Sequence, residues 1–377
     1  MDGRAAWSDY RTALTHFERV RAVEPHRALA HIEVATIHRL LNRCDVTDSI
    51  GRRLLSSPRT LAAFDRAFLE GQLAACRGDP AGMYRSALEQ RRLAPRSVNA
   101  AYSLYHALLA LNRPADAVAA LEPLDYDRAA AEIGPTLFTG LTITLHMLGR
   151  DARALEVSRA GRARYPDMPR MWFGEMFSLL GLGHGAEVES EIRRRAATAS
   201  AEDVSGVLVP LATDFMTHGD TARARSLLRT LDSVLVAAPS AGHATADHRR
   251  ARAFIAARLG DGERARRLAA TLVDDPRWRS GAHGQLGALA ARAGDRATAE
   301  RALAFLATPV ATQRVDALLW RVRIHALLGE RTRAVELLRT AIHYSPQIQI
   351  SSLLHTRMDL DSLRGDPAFE AIEQPWR

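Results

Sequence analysis

Short turns recur along this chain at a nearly constant interval, and that period constrains the fold more than any other feature. The turn residues are Asn42, Gly78, Asn112, Gly149, Gly183, Gly219, Gly260, Gly294 and Gly329, separated by steps of 36, 34, 37, 34, 36, 41, 34 and 35 residues. A fixed period in this range marks a stack of helix pairs, each burying its apolar side only against its neighbours. Five residues past each turn lie Thr47, Met83, Ala117, Ala154, Val188, Ala224, Ala265, Ala299 and Ala334. Six of these nine are alanine, whereas 67 alanines in 377 residues would place about two there by chance.

The turn residues have a physical reason. Glycine takes the left-handed conformation that closes one helix, and aspartate caps the start of the next. Gly78-Asp79, Gly219-Asp220, Gly260-Asp261 and Gly294-Asp295 place the two side by side. Asn42 and Asn112 stand in where glycine is missing, since asparagine tolerates that geometry. Pro80 and Pro114 fall just inside the following helix, where a missing N–H costs nothing. A second, looser column of mostly small residues lies seven before each turn: Ala35, Gly71, Tyr105, Thr142, Met176, Ala212, Ala253, Gly287 and Val322. Between the columns apolar residues recur at helical spacing, as in Leu318, Leu319, Val322, Ile324 and Leu327, and an all-α chain is predicted.

These residues carry a resemblance to the tetratricopeptide repeat (TPR) family, whose hairpin has an alanine, a small residue seven later and a proline five beyond that. Ala334, Ala341 and Pro346 match fully, Ala154, Gly161 and Pro166 nearly so, and Met83, Gln90 and Pro95 keep only the spacing. The resemblance implies an α-solenoid of about nine helix hairpins, wound as a right-handed superhelix with a concave groove. The array is expected over residues 1–346, with a C-terminal capping segment over 347–377. The stretch from Ser8 to Pro25 reads as a second helix alone, an incomplete first hairpin whose uncapped end would meet an upstream domain or another copy. Val236 to Thr245 reads as a lengthened connection. From Met358 to Phe369 the tail resembles the terminus of TPR regions in bacterial serine/threonine protein kinases and related signalling regulators. There Asp366 is the expected cap of a short helix sealed by Phe369 and Ile372.

Candidate chemistry is sparse. Gly181-Leu-Gly183-His-Gly185 imitates a dinucleotide fingerprint, but that motif requires a preceding strand, and a repeat turn is the better account. His38, His106, His146 and His325 each sit alone on a separate first helix without a carboxylate or cysteine companion four residues away, so no metal site is expected. Glu122, Asp125 and Asp127 cluster near Tyr126 and read as solvated turn acids in a loop. No cofactor, catalytic residue or enzymatic activity is expected.

The remaining candidate is the inner wall that the family resemblance assigns to first helices. Its positions fall on Tyr102, His106, His146, Met147, Phe173 and Phe177 in the middle repeats, and on Arg250, Arg258, Arg292 and Arg323 nearer the C-terminus. Aromatic anchors beside arginines would suit a protein or peptide of acidic character. The function expected is a protein–protein interaction scaffold. The alternative is the C-terminal regulatory region of a larger bacterial signalling protein, a kinase or transcriptional regulator.

Composition bears on the partner. The 51 cations are all arginine, because the chain has no lysine, and the net charge of +8 is dispersed along it. Dispersed arginine reads as a solvated surface, so nucleic acid is not the expected partner despite a pI near 10.2. Two cysteines, Cys44 and Cys76, are too few for a disulfide framework or a four-cysteine metal site, and a reducing, cytoplasmic setting is expected. No run of apolar residues has the length of a membrane span, so no membrane insertion is expected.

Overall fold

In the computed structural model, residues 10–41, 43–56, 61–200, 203–237, 245–308, 314–344, 354–355 and 359–376 are described. Among them every regular element is helical and none is a strand. No described helix is long and apolar enough to cross a membrane. The chain divides into two units. The first comprises Met1–Leu137, Val310–Val315 and Arg339–Gln347, and the second Phe138–Pro309, Asp316–Leu338 and Ile348–Arg377.

The first unit holds α1 (Tyr10–Val23), α2 (Ala28–Leu40), α3 (Cys44–Ser56), α4 (Ala63–Arg77), α5 (Pro80–Leu93), α6 (Val98–Ala110), α7 (Pro114–Leu121) and α8 (Tyr126–Ile133). The second unit takes up the chain in α9 (Thr136–Met147) and continues with α10 (Asp151–Arg164), α11 (Pro169–Gly181) and α12 (Gly185–Ala196). A wide π turn, Val204–Leu208, runs into α13 (Val209–Thr217), followed by α14 (Thr221–Ala237), α15 (Ala246–Leu259) and α16 (Gly262–Ala270). The rest are α17 (Arg279–Arg292), α18 (Arg296–Leu306), α19 (Arg314–Leu327), α20 (Arg331–Tyr344) and the short α21 (Pro367–Glu373), with the start of α19 and the end of α20, from Arg339, counted in the first unit.

The turns work as the sequence predicts. Asn112 and all seven glycines of the ladder have positive φ, between 58° and 87°; Asn42 lies outside the described residues. After each such turn the next residue donates its N–H to a carbonyl at the end of the preceding helix, as Asp79 does to Ala74 O at 2.9 Å and Asp295 to Ala290 O at 3.0 Å. Helix-end carbonyls that would otherwise lack a partner are thereby satisfied. The following Asp then caps the next helix: Asp261 Oδ1 accepts from Arg264 N and Asp295 Oδ1 from Thr298 N, each at 3.0 Å.

The small column explains why the two helices of a hairpin can lie close. Thr47, Ala117, Ala154, Val188, Ala224, Ala265, Ala299 and Ala334 are all at 0% exposure. Only Met83, the largest of the nine, is half-buried. Between α2 and α3 the two columns touch directly, with Thr47 Oγ1 donating to Ala35 O at 2.9 Å. Between hairpins the same economy appears at Gly284, where a Cβ would lie 2.0 Å from the Trp320 ring. Larger side chains fill the space between the columns, as Phe215, Leu227, Leu228 and Leu231 do in the principal core of the second unit.

Two local expectations change. Asp125 is a helix cap, not a loop acid: it accepts from Arg128 N at 3.0 Å and starts α8, so the step of 37 residues holds an extra helix. The lengthened connection begins later than expected, because α14 runs to Ala237; residues 238–244 lie outside the described set. At the C-terminus Asp366 does cap α21, and Phe369 and Ile372 are buried.

Cys44 and Cys76 form a disulfide with Cα atoms 5.4 Å apart. The repeat makes this possible. Cys44 follows one turn by two residues and Cys76 precedes the next by two, so antiparallel α3 and α4 bring the pair together. One bridge is not a framework, but it counts against the reducing setting expected from cysteine number. Closing a loop of this length restricts the unfolded chain by about 3–4 kcal/mol in the chain-entropy account. Reduction, or Cys76→Ala, is therefore expected to lower the urea midpoint of the first unit. Two free thiols in oxidised, unfolded protein would contradict the pairing.

Candidate functional site

The residues expected on the inner wall fall into separate environments. In the first unit Tyr102 and His106, one turn apart on α6, meet edge to face with ring centroids 4.5 Å apart, and Tyr105 lies 5.1 Å from the same imidazole. Burial, assisted by the positive charge of Arg39, pushes the His106 imidazole down to about 3. It is therefore neutral at physiological pH.

In the second unit Phe173 and Phe177 on α11 are only partly buried and pack edge to face, centroids 4.3 Å apart, against the core that includes Trp172, Leu208 and Phe215. Met147 is half-exposed at the end of α9. His146, one residue earlier, is 3% exposed and offers little to a partner. Its side chain turns into the protein.

There His146 joins a cluster that sequence spacing alone did not assemble. Its Nδ1 donates to Asp151 Oδ1 at 2.5 Å, and its Nε2 lies 3.5 Å from Asp214 Oδ2. His218 Nε2 approaches the same oxygen at 3.4 Å, and His355 Nε2 donates to Asp214 Oδ1 at 3.0 Å. Burial disfavours the His146 cation, but the hydrogen bond to Asp151 and the nearby Asp214 carboxylate outweigh it and lift the imidazole to about 9. Asp214 is opposed by burial in the same way. The three histidines around it, His355 through a hydrogen bond and His146 and His218 close by, hold its carboxyl well below the usual range. Asp214 and His218 stand four residues apart at the end of α13, the spacing that marks two ligands on one helix face. That signal is present in the sequence, but on a first helix other than the four whose histidines drew notice.

The four arginines form a second, distinct place. Arg250 and Arg258 come from α15, Arg292 from α17 and Arg323 from α19. Gln285 ties α17 to α15 by donating to Ala253 O at 2.8 Å, and the missing side chain of Gly284 lets Trp320 of α19 close in. Three guanidinium groups lie over aromatic faces: Arg250 on Trp278 at 4.2 Å, Arg323 on Trp320 at 4.6 Å and Arg258 on Phe254 at 5.1 Å. Burial lowers Arg258 to about 10, with Arg323 and Arg292 adding like-charge repulsion and Asp359 opposing it. Arg323 is lowered by burial too, against the pull of Asp359 and Asp316. Arg292 hydrogen-bonds Asp359. The Asp316 carboxyl is itself raised by desolvation, against the pull of Arg323 and Arg250. The surface thus sets four arginines against Asp247, Asp316 and Asp359, with Asp316 disfavoured as an anion.

The neutral state of His106 sets a pH dependence. The unfolded chain takes up the imidazole proton near pH 6.5 and the folded chain only near 3, so acidification favours unfolding across that window. The stability advantage of wild type over His106→Leu is expected to shrink below pH 6.5, by up to about 1.4 kcal/mol per unit. Urea unfolding at pH 7, 5.5 and 4 measures it, and a constant difference would contradict the burial of a neutral ring.

No protein-family model matches the chain, and no curated protein does. Among solved structures it is similar to a tetratricopeptide repeat protein from Parabacteroides merdae, with 11% identity and a TM-score of 0.35, covering 83% of this chain and 98% of that one. It is also similar to the APC/C hetero-tetramer Cut9-Hcn1, with 12% identity and a TM-score of 0.32, covering 93% and 74%. A third is the P58(IPK) TPR domain, with 12% identity and a TM-score of 0.24, covering 96% and 84%. At such values the superpositions add nothing to the turn and column geometry described above. On that geometry, the described residues form helix hairpins closed by positive-φ turns that recur every 34–41 residues.

Proposed function

We propose that this chain is a non-catalytic protein-interaction scaffold, and that the arginine face of α15, α17 and α19 receives an acidic protein segment. The observation that carries the reading is the gathering of four guanidinium groups from α15, α17 and α19, three of them laid over aromatic faces. A guanidinium lowered to about 10 by burial, as at Arg258, is a cation held at a cost in free energy. Incoming carboxylates would offset that cost, and guanidinium groups bind carboxylates in a fixed, two-pronged geometry. The aromatic rings beneath Arg250, Arg258 and Arg323 hold the groups in place and add an apolar floor for a partner's side chains. Repeat scaffolds commonly bind through a surface shared by successive units. A cytoplasmic setting belongs to this reading as well, with the Cys44–Cys76 bridge as the observation against it.

The test uses a fluorescent, glutamate-rich peptide carrying one tryptophan, titrated with the full chain and read by anisotropy. Saturable binding that weakens with salt is expected, with a loss of at least about tenfold in Arg258→Glu and in Arg323→Glu, since hydrogen bonds between charged partners contribute about 1.5–3 kcal/mol each. Circular dichroism checks that the variants fold. Absence of binding, or equal binding by wild type and both folded variants, would contradict the reading.

A further inference from the structure

We propose that His146, Asp214, His218 and His355 form a binding site for one divalent transition-metal ion, for which zinc is the best match. The donor set is three imidazole nitrogens and one carboxylate, the borderline ligands that zinc favours in four-coordinate sites. All four ligand atoms lie within 4.8 Å of one another. The His146–Asp214 and His218–Asp214 separations of 3.5 and 3.4 Å are close to the ligand–ligand edge, about 3.4 Å, of a tetrahedron with bonds of about 2.0–2.1 Å.

A second observation points to the ion independently. His146 Nε2 and Asp214 Oδ2 are fully buried and neither has a hydrogen bond of acceptable geometry, yet they face each other. The side chains that carry them are each 2% exposed. Buried polar atoms are rarely left in this state. Asp151 holds the Nδ1–H of His146, so on loss of the Nε2 proton the ring turns a lone pair toward Asp214 Oδ2, and two electron-rich atoms face one space. A cation between them satisfies both.

The surroundings fit the same account. A metal-bound imidazole typically donates its other N–H to a carboxylate, and Asp151 is that carboxylate for His146. Room for Asp151 comes from Gly181, where a Cβ would fall 2.2 Å from the carboxylate carbon. Phe177 lies 5.2 Å from the His146 ring and shields that side from water. Charge balances as well: a divalent ion cancels Asp214 and Asp151, and each histidine binds as the neutral ring, releasing any Nε2 proton to solvent. Because His355 is 141 residues from Asp214, the ion would fasten the C-terminal segment to α9 and α13.

The experiment uses the full chain, stripped with a chelator and dialysed, then titrated with cobalt(II) and with zinc(II) alone. One equivalent of zinc bound per chain, a visible d–d spectrum of four-coordinate cobalt that zinc displaces, and a rise in melting temperature with zinc are expected. His218→Ala and His355→Gln should each abolish the one-equivalent uptake. Asp151→Asn should weaken it by about 10–100-fold while leaving the stoichiometry at one. His184→Ala, at an exposed histidine outside the cluster, should leave it unchanged. Failure of the wild-type chain to take up zinc at micromolar free ion would overturn the proposal. So would one-equivalent uptake that persists unchanged in folded His218→Ala and His355→Gln.

Discussion

Close approach of the two helices in each hairpin is the constraint on which everything else in this structure depends. It is secured by a residue in the left-handed conformation at the turn and by a small side chain five residues later. The turn reverses the chain while giving helix-end carbonyls a partner, and the small residue removes the volume that would hold the helices apart. Eight of the nine residues at that position have no exposed surface, which shows how little room is left. Interiors packed to this density tolerate few larger side chains, so composition at the column is fixed by geometry.

The same spacing determines where chemistry can accumulate. A repeat of helix pairs places equivalent positions of successive first helices side by side, so residues far apart in the chain become neighbours. Arg250, Arg258, Arg292 and Arg323 gather in this way, and the neighbouring arginines add repulsion at Arg258 and Arg323. An interaction surface built like this needs no dedicated loop. The aromatic rings below the arginines come from the same helices or from the segment leading into α17, as Phe254, Trp320 and Trp278 do.

Much of the fold was legible in the sequence because its determinants are local. The ladder of turns, the aspartate caps and the alanine column each depend on residues within one hairpin, and period alone exposes them. The helix at Tyr126 was not legible, since Asp125 is an adequate cap and an adequate turn acid alike. The Cys44–Cys76 pairing could have been read from the register, two residues past one turn and two before the next. The histidine cluster was only half visible. Asp214 and His218 declare themselves at helical spacing, but His355 arrives from a segment outside the repeat period, and nothing in its neighbours announces the contact. The placement of His146 shows the opposite limit. Spacing assigned it correctly to a first helix, while the burial that removes it from the wall depends on Asp151, Asp214 and Phe177 from three other helices.

The packing claim is tested most directly by the melting temperature of Ala299→Leu, a substitution at a column position with no exposed surface. Overpacking a dense interface costs about 1–3 kcal/mol, so a clear fall of several degrees is expected, with helical circular dichroism retained at low temperature. A melting temperature equal to that of the wild-type chain would show that the column does not hold the helices at contact distance, and close hairpin packing could then no longer explain the fold.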